Sequence, residues 1–178
     1  MIRLRAIASR LDHWVARIEA AVIVLLVTLL TAVTFAQVMT RYALGNPLIW
    51  SEEVARFLFF WVVLLGAAMS VKDRRHFVID VTGGRTSGGP TLRFLLDIVP
   101  DVCVLAFSLL LLAEGLGYTH VGLFRTASNS RVNMALVYAA IPTFAALSVI
   151  YSAANLLLDW AAFREGRGPT PLPPPIAD

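Results

Sequence analysis

The chain has 178 residues, of which 58% are apolar and only 15% are charged, and its mean hydropathy is +0.73. A soluble domain carries roughly 45–50% apolar and about 25% charged residues. The apolar excess here is clustered in long runs, which excludes a cytosolic enzyme, a secreted disulfide scaffold and a disordered chain. The net charge of +3 does not indicate nucleic-acid binding, because the basic residues flank the apolar runs instead of sharing one soluble face. The composition predicts an all-α integral membrane protein.

Residues 1–19 form the first predicted element. Apolar side chains recur there at helical spacing while the arginines fall elsewhere around the helix, which predicts an amphipathic helix lying on the cytoplasmic membrane surface. Residues 20–39 then give 20 positions without a charge, enough to cross a hydrocarbon core of about 30 Å. The apolar core of a cleaved signal peptide is only about 7–15 residues long, so we expect an uncleaved first span over residues 20–42.

Two further spans are predicted over residues 51–71 and 94–118. The uncharged core of the second, residues 57–71, is only 15 residues long, but the helix becomes long enough if it begins at Ser51, a good N-cap. The two glutamates that follow Ser51 would lie in the first turn, where the helix dipole favours negative charge. The third run is interrupted by three carboxylates and by a proline near its start, so we expect its first turns to lie at the interface.

The fourth span is predicted over residues 132–158, which are 27 residues without a charge. A run of this length must tilt or kink in a bilayer, and Pro142 is the predicted kink site. Residues 164–178 follow as a cytoplasmic tail, and five prolines within its last ten residues predict disorder. The membrane domain is therefore assigned to residues 20–163.

The orientation follows from the count of Lys and Arg in the short loops. Eleven lie before the first span, between the second and third spans, and after the fourth span, against four on the other side of the membrane. The positive-inside rule therefore places both termini in the cytoplasm. The connection between spans one and two and the connection between spans three and four then face the outer side.

Groups able to hold a substrate, an ion or a metal are scarce. A transport site needs polar or ionisable groups near the middle of the membrane, whereas the first and fourth spans carry no charged residue at that depth. Arg93, Asp97 and Asp101 are each four residues apart and predict an interfacial ladder of ion pairs at the start of the third span. The three histidines fall at predicted boundaries or in loops, and the sequence holds no catalytic or metal-binding motif. We therefore expect no enzymatic activity, no metal and no cofactor.

The densest cluster of candidate functional residues lies between the first and second spans. It comprises Arg41, Trp50, Glu52, Glu53 and Arg56. Each glutamate can pair with Arg56, at a spacing of four or three, or with Arg41 across the loop. Charges at this depth seldom stay unpaired. As structure alone the cluster predicts a salt-bridged helical hairpin, and as function it predicts a docking surface on the outer side.

Two features bear on contacts between helices. Trp61 lies ten residues inside the second helix, where its N–H needs a partner, supplied either by packing within the chain or by a larger complex. Small residues at a spacing of four, such as Ala113 and Gly117, predict close helix contacts.

In the order of its motifs, the sequence resembles one family, the small membrane subunits of tripartite ATP-independent periplasmic (TRAP) transporters. The order is Gln-x3-Arg-Tyr, then Pro-x2-Trp-Ser-Glu-Glu-x2-Arg, then Trp-x4-Gly-Ala-Ala, then a basic loop with His and Asp. The resemblance covers residues 10–163 in length, number of spans, orientation and motif order. The positions that carry it are Gln37, Arg41, Tyr42, Pro47, Trp50, Ser51, Glu52, Glu53, Arg56, Trp61, Gly66, Ala67, Ala68, His76 and Asp80.

The resemblance implies a subunit of a sodium-coupled, binding-protein-dependent secondary transporter for organic acids in the bacterial inner membrane. Besides the lipid bilayer, the implied partners are a large membrane subunit, in a stable heterodimer, and a periplasmic binding protein that docks transiently. In this role His76 and Asp80 would order the cytoplasmic loop. The residues implied at the subunit interface or docking surface are Arg41, Trp50, Glu52, Glu53, Arg56 and Trp61.

The residues themselves leave one alternative open, a free-standing protein with four spans, such as a small channel or a haem-bearing respiratory anchor subunit. A haem anchor requires histidines that face one another from different helices inside the bundle. Those of this chain are predicted nearer the membrane boundaries.

Overall fold

The computed structural model describes residues 2–46, 48–72 and 90–164 of the chain. The described part contains four helices long and apolar enough to cross a membrane, the last of them interrupted, and its only β contact is one isolated bridge. This confirms the predicted all-α fold with four spans. The helices are α1 (Ile2–Tyr42), α2 (Ile49–Lys72), α3 (Pro90–Gly122), α4 (Met134–Tyr138) and α5 (Ala140–Arg164).

Helix α1 is continuous from Ile2 to Tyr42, so the predicted surface segment and the first span belong to one helix. The reason lies in the sequence, since residues 2–42 contain neither glycine nor proline and nothing in them terminates a helix. Residues 2–19 therefore do not form a separate helix in the structure. Their position on the cytoplasmic membrane surface stays a prediction.

Helix α2 begins at Ile49, so the prediction that Ser51 is its N-cap is wrong. The Ser51 hydroxyl donates a hydrogen bond to the carbonyl of Leu48 at 2.6 Å, and the Ser51 side chain is fully buried. An N-cap side chain must accept a bond from the helix instead. The earlier start makes α2 long enough to cross the membrane without any contribution from a cap at Ser51.

The fourth span is divided between α4 and α5, with the break at Ala139. Pro142 has no N–H to offer the carbonyl of Tyr138, and its ring would collide with that carbonyl in a regular helix. The break therefore falls where the proline forces it, next to the predicted kink site. Helix α3, by contrast, starts at Pro90, where a missing N–H carries no penalty, and runs further at both ends than the predicted residues 94–118.

The long helices pack in the order α1, α2, α5, α3. Helices α2 and α5 form the centre of the bundle, and α1 and α3 lie on its two flanks. The flanking helix α1 is poorly covered, and Glu19 is the one buried side chain among those described for it. Two opposite faces of the bundle are thus left to lipid or to another protein.

Close contact between α3 and the α4–α5 span depends on glycines that the spacing-of-four pattern did not identify. A Cβ atom at Gly122 would lie 2.7 Å from the amide nitrogen of Ala135, and one at Gly115 would lie 3.1 Å from the amide nitrogen of Pro142. A Cβ atom at Gly117 would meet nothing within 4 Å. The contact therefore uses glycines seven residues apart, which return to the same side of α3 after two turns.

Replacing Gly122 with Ala should destabilise the bundle, because its Cβ atom would meet backbone atoms of Ala135 that cannot move aside independently. Overpacking of this kind costs about 1–3 kcal/mol, and we expect the thermal unfolding midpoint in detergent to fall. The matched control is Gly117→Ala, which adds the same methyl group in open space and improves helix propensity. Equal midpoints for the two variants would contradict the packing described here.

Candidate functional site

Two connections meet at one end of the bundle, the α1–α2 hairpin (residues 41–56) and the α3–α4 loop (residues 123–133). The carboxylate of Glu53, in the first turns of α2, accepts hydrogen bonds from the backbone N–H groups of Ser130 at 2.7 Å and Asn129 at 3.1 Å. These bonds join positions 76 and 77 residues apart in the chain. This outer end, named after the side to which the charge distribution assigns it, is the candidate functional site.

The two neighbouring glutamates have different partners. Glu52 forms the expected ion pair with Arg56, at 3.1 Å, and both side chains are about 70% exposed. Among the described residues Glu53 has no arginine partner of the kind that the spacing predicted, because its carboxylate is directed to the α3–α4 loop. Backbone N–H groups in a tight loop need acceptors, and a carboxylate is a strong one. Exposed ion pairs contribute little to stability, so Glu53 is the residue that holds the two connections together.

The other predicted residues of the hairpin lie at the helix ends. Arg41 is in the last turn of α1, with its guanidinium 5.9 Å from the centre of the Tyr42 ring. Trp50 is in the first turn of α2 and is 44% exposed. Gly45, at φ +63°, adopts the left-handed conformation, and the N–H of Asn46 then bonds back to α1. The hairpin thus presents a cation and two aromatic rings at its surface.

Trp61 has a partner within the chain. Its Nε1–H donates a hydrogen bond to the carbonyl of Leu136 at 3.0 Å. That carbonyl lies in the last turn of α4, where a helix end leaves acceptors without an intrahelical donor. Of the two predicted explanations for this tryptophan, packing within the chain is therefore the one observed. Its bond links α2 to the interrupted fourth span.

The α3–α4 loop is held by bonds of its own. The N–H of Ala127 donates to the carbonyl of Val132, and the N–H of Met134 donates to the carbonyl of Arg125, both at 2.9 Å. Asn133 caps α4, its side-chain oxygen accepting from the N–H of Ala135 at 2.8 Å. The conformation of the α3–α4 loop is therefore fixed by hydrogen bonds within the loop.

Arg131, within the same loop, adopts φ +55°. A residue with a side chain pays roughly 1–2 kcal/mol for this left-handed conformation, because Cβ approaches the following carbonyl oxygen. Arg131 is the one non-glycine residue with positive φ in the described ranges.

An apolar groove of about 380 Å³ adjoins this end of the bundle. It lies between α2, α3 and the α4–α5 span, with an arginine at its edge and aromatic rings along its walls. The lining residues are Arg56, Phe57, Phe60, Tyr118, Val137, Tyr138 and Ile141.

Several predicted residues or their side chains lie outside the described part of the chain. His76 and Asp80, assigned to the cytoplasmic loop, lie outside the described residues. The same is true of the side chains of Arg93 and Asp97 in the predicted ladder. Of the three histidines, the described side chain is that of His120, which is exposed near the end of α3. The described residues contain no group of three potential metal ligands.

The opposite end holds a cluster that sequence reasoning missed. Glu19 of α1 is only 5% exposed, and its Oε2 accepts a hydrogen bond from the hydroxyl of Tyr151 in α5 at 2.7 Å. The ammonium group of Lys72 lies 5.8 Å from the centre of the Tyr151 ring. Glu19 is the last charge before the first uncharged run, and Tyr151 is a polar group within the fourth. Those positions were visible in the sequence, but their proximity was not.

Comparison with known proteins covers most of the predicted membrane domain. Residues 30–162 match the family described as tripartite ATP-independent periplasmic transporters, DctQ component. The chain is 38% identical over 112 residues to the C4-dicarboxylate TRAP transporter small permease protein DctQ of Vibrio cholerae serotype O1, which covers 63% of this chain and 47% of that protein. It is 33% identical over 103 residues to the sialic acid TRAP transporter small permease protein SiaQ of the same organism, covering 58% and 57%.

A third similarity is shorter. The chain is 42% identical over 48 residues to the sialic acid TRAP transporter permease protein SiaT of Haemophilus influenzae, which covers 27% of this chain and 8% of that protein. The matched stretches span about half the length of the two small permease proteins, at 47% and 57%.

Replacing Glu53 with Ala should free the α3–α4 loop, because the N–H groups of Asn129 and Ser130 would lose their shared acceptor. We expect faster amide hydrogen exchange in peptides covering residues 123–133, measured by mass spectrometry in detergent. Glu52→Ala is the control, since among the described residues this neighbouring carboxylate bonds to Arg56 of the same helix. Similar exchange in the two variants would show that Glu53 does not hold the loop.

Proposed function

The chain belongs to the DctQ-component family of TRAP transporters, and from this premise we propose that it is the small membrane subunit that supports a larger transport subunit. Because the chain belongs to this family, we do not propose a free-standing channel or a haem anchor. The observation that carries the proposal is the uncharged middle of three spans, residues 20–40, 57–71 and 132–158. Substrate and coupling ions need polar or ionisable groups at that depth, so the translocation site is assigned to the partner.

The arrangement of the helices supports a scaffold role. A row of helices with two flanks offers more lateral surface than a closed bundle of the same size, and α1 in particular leaves most of its apolar surface uncovered. We propose that the large subunit packs against such a face in the membrane and forms a stable heterodimer. The short similarity to a TRAP permease protein is consistent with a shared transport system. In this role the small subunit would brace the static part of its partner while mobile elements cross the bilayer.

The proposed cargo is an organic acid, moved by the large subunit with a sodium gradient. Two relatives are named for C4-dicarboxylate and for sialic acid, both of which carry carboxylate groups. Sodium coupling rests on the family resemblance. The proposed location is the bacterial inner membrane, with both termini in the cytoplasm, as the distribution of Lys and Arg favours.

The outer end is proposed to help seat a soluble binding protein that delivers the cargo. Its support is the rigid junction that Glu53 makes between the α1–α2 hairpin and the α3–α4 loop, since a docking surface must hold its shape. Exposed aromatic rings and arginines are also the residue types enriched at protein interfaces. Arg41 and Trp50 contribute such groups from the hairpin.

Purification of the tagged chain from its native membrane in a mild detergent should recover a much larger polytopic membrane protein in about equal molar amount. Mass spectrometry would identify that protein and quantify the ratio. A chain with no transport site of its own is expected to be isolated with the subunit that contains one. Recovery of the chain alone, or with a soluble redox enzyme, would contradict the accessory-subunit proposal.

Replacing Glu53 with Lys should lower substrate uptake without preventing membrane insertion. The lysine would place a cation against the N–H groups of the α3–α4 loop and open the junction, and we expect a loss on the order of fivefold, as for a damaged docking surface. Uptake of a labelled organic acid into cells or proteoliposomes measures the effect. Glu52→Lys is the control, since it makes the same charge change at an exposed position. Unchanged uptake in the Glu53 variant would show that transport does not depend on the junction.

A further inference from the structure

The conformation of Arg131 is unfavourable for an arginine. At φ +55° the backbone lies in the left-handed region, which glycine and asparagine adopt far more readily. Residues in sparsely populated conformations persist when the surrounding structure determines them, and they cluster at functional sites. A glycine would adopt this backbone conformation at lower energy, so the reason for an arginine must lie in its side chain.

The loop fixes Arg131 from both sides. The preceding residue, Ser130, donates its N–H to the Glu53 carboxylate at 2.7 Å. The following residue, Val132, accepts the N–H of Ala127 at 2.9 Å. The side chain of Arg131 is exposed. A backbone held in this way presents its exposed side chain from a fixed point, so little backbone freedom remains to be lost when another molecule binds.

The charge at the outer end is unbalanced. Four arginines lie there with two glutamates, and both glutamates are engaged, one with Arg56 and the other with backbone N–H groups. In the part of the chain that the structure describes, Arg41, Arg125 and Arg131 form no salt bridge with a carboxylate. The surface therefore complements a negatively charged partner.

The path of the loop indicates the side from which that partner comes. Leaving α3 on one flank, the chain reaches Glu53 of the central helix α2 before it enters α4. The loop therefore crosses the end of the bundle instead of lying along its lipid-facing side. Phe124, in the same loop, is 82% exposed and adds an aromatic contact of the kind found at protein interfaces.

We propose that Arg131 is a contact residue for a soluble protein with an acidic face, and that it forms an ion pair with a carboxylate of that protein. The inference rests on the proposed function and identifies the chemistry of the docking partner and the residue that meets it. Glu53 acts as a positioning residue, because it holds the loop without reaching the partner. The strain at Arg131 is retained because the guanidinium must lie at this point of the surface.

The test uses the complex of this chain with its large subunit in nanodiscs of neutral phosphatidylcholine. Binding of the purified soluble binding protein of the same system is measured by interferometry at low and high salt, together with the thermal unfolding midpoint. Arg131→Gly removes the charge and relieves the backbone, whereas Arg131→Lys keeps the charge. Arg17→Gln, in the N-terminal half of α1 and away from the outer end, is the control for a change in net charge.

We expect Arg131→Gly to leave the midpoint unchanged or raised and to weaken binding at low salt on the order of fivefold, with a smaller difference at high salt. Arg131→Lys should retain most of the affinity, and Arg17→Gln should retain all of it. Arg131→Glu should weaken binding more than Arg131→Gly, because it places a negative charge against the acidic face. A variant of the soluble protein with one carboxylate changed to lysine should restore the affinity for Arg131→Glu.

Other results would overturn the inference. Unchanged affinity in Arg131→Gly would show that the side chain makes no contact, and a lowered midpoint in that variant would make the arginine structural. A loss seen only when the nanodiscs contain phosphatidylglycerol would assign the guanidinium to lipid headgroups. Failure of the wild-type complex to form or to bind the soluble protein would instead reject the proposed function itself, and the inference with it.

Discussion

Close backbone contact between α3 and the α4–α5 span is the constraint on which the other features depend. Lipid tails are as apolar as leucine side chains, so helices in a membrane gain little from hydrophobic burial and rely on close packing and hydrogen bonds. Gly115 and Gly122 provide the space for that approach, with Ala135 and Pro142 on the other side. This contact brings the break in the fourth span against α3 and sets the path of the loop that joins them.

The break in the fourth span leaves backbone groups without partners in a helix, and other residues bond to them. Pro142 interrupts the helix and leaves carbonyl groups at the end of α4, and Trp61 of α2 donates to one of them. The loop before α4 exposes N–H groups, and Glu53 of α2 accepts two of them. Both bonds come from α2, which lies at the centre of the row. The helix that carries the densest motif in the sequence is therefore the one that joins the spans, and its polar residues serve backbone groups more than one another.

These features agree with an accessory role. The uncharged middles of the spans, the uncovered flank of α1 and the junction at the outer end are the features on which the proposed role rests. At the other end, the hydrogen bond between Glu19 and Tyr151 joins the flanking helix α1 to the central helix α5. In the proposed role, the protein contributes by holding its partners in a fixed geometry. Its sequence can retain unfavourable local choices, such as Arg131, where a contact requires them.

The sequence by itself determined the number of spans, the order of the motifs, the family and the neighbourhood of the break in the fourth span, because each depends on composition, periodicity or a local rule. It also predicted the Glu52–Arg56 pair, since four residues along a helix bring two side chains together whatever surrounds them. Only the tertiary structure decided the partners of Glu53, Trp61 and Glu19, which lie from 75 to 132 residues away along the chain. It also decided which glycines make the close contact, in place of the pair expected at Gly117. Such contacts depend on how each helix is rotated and shifted against its neighbour, and a periodic pattern within one helix does not contain that information.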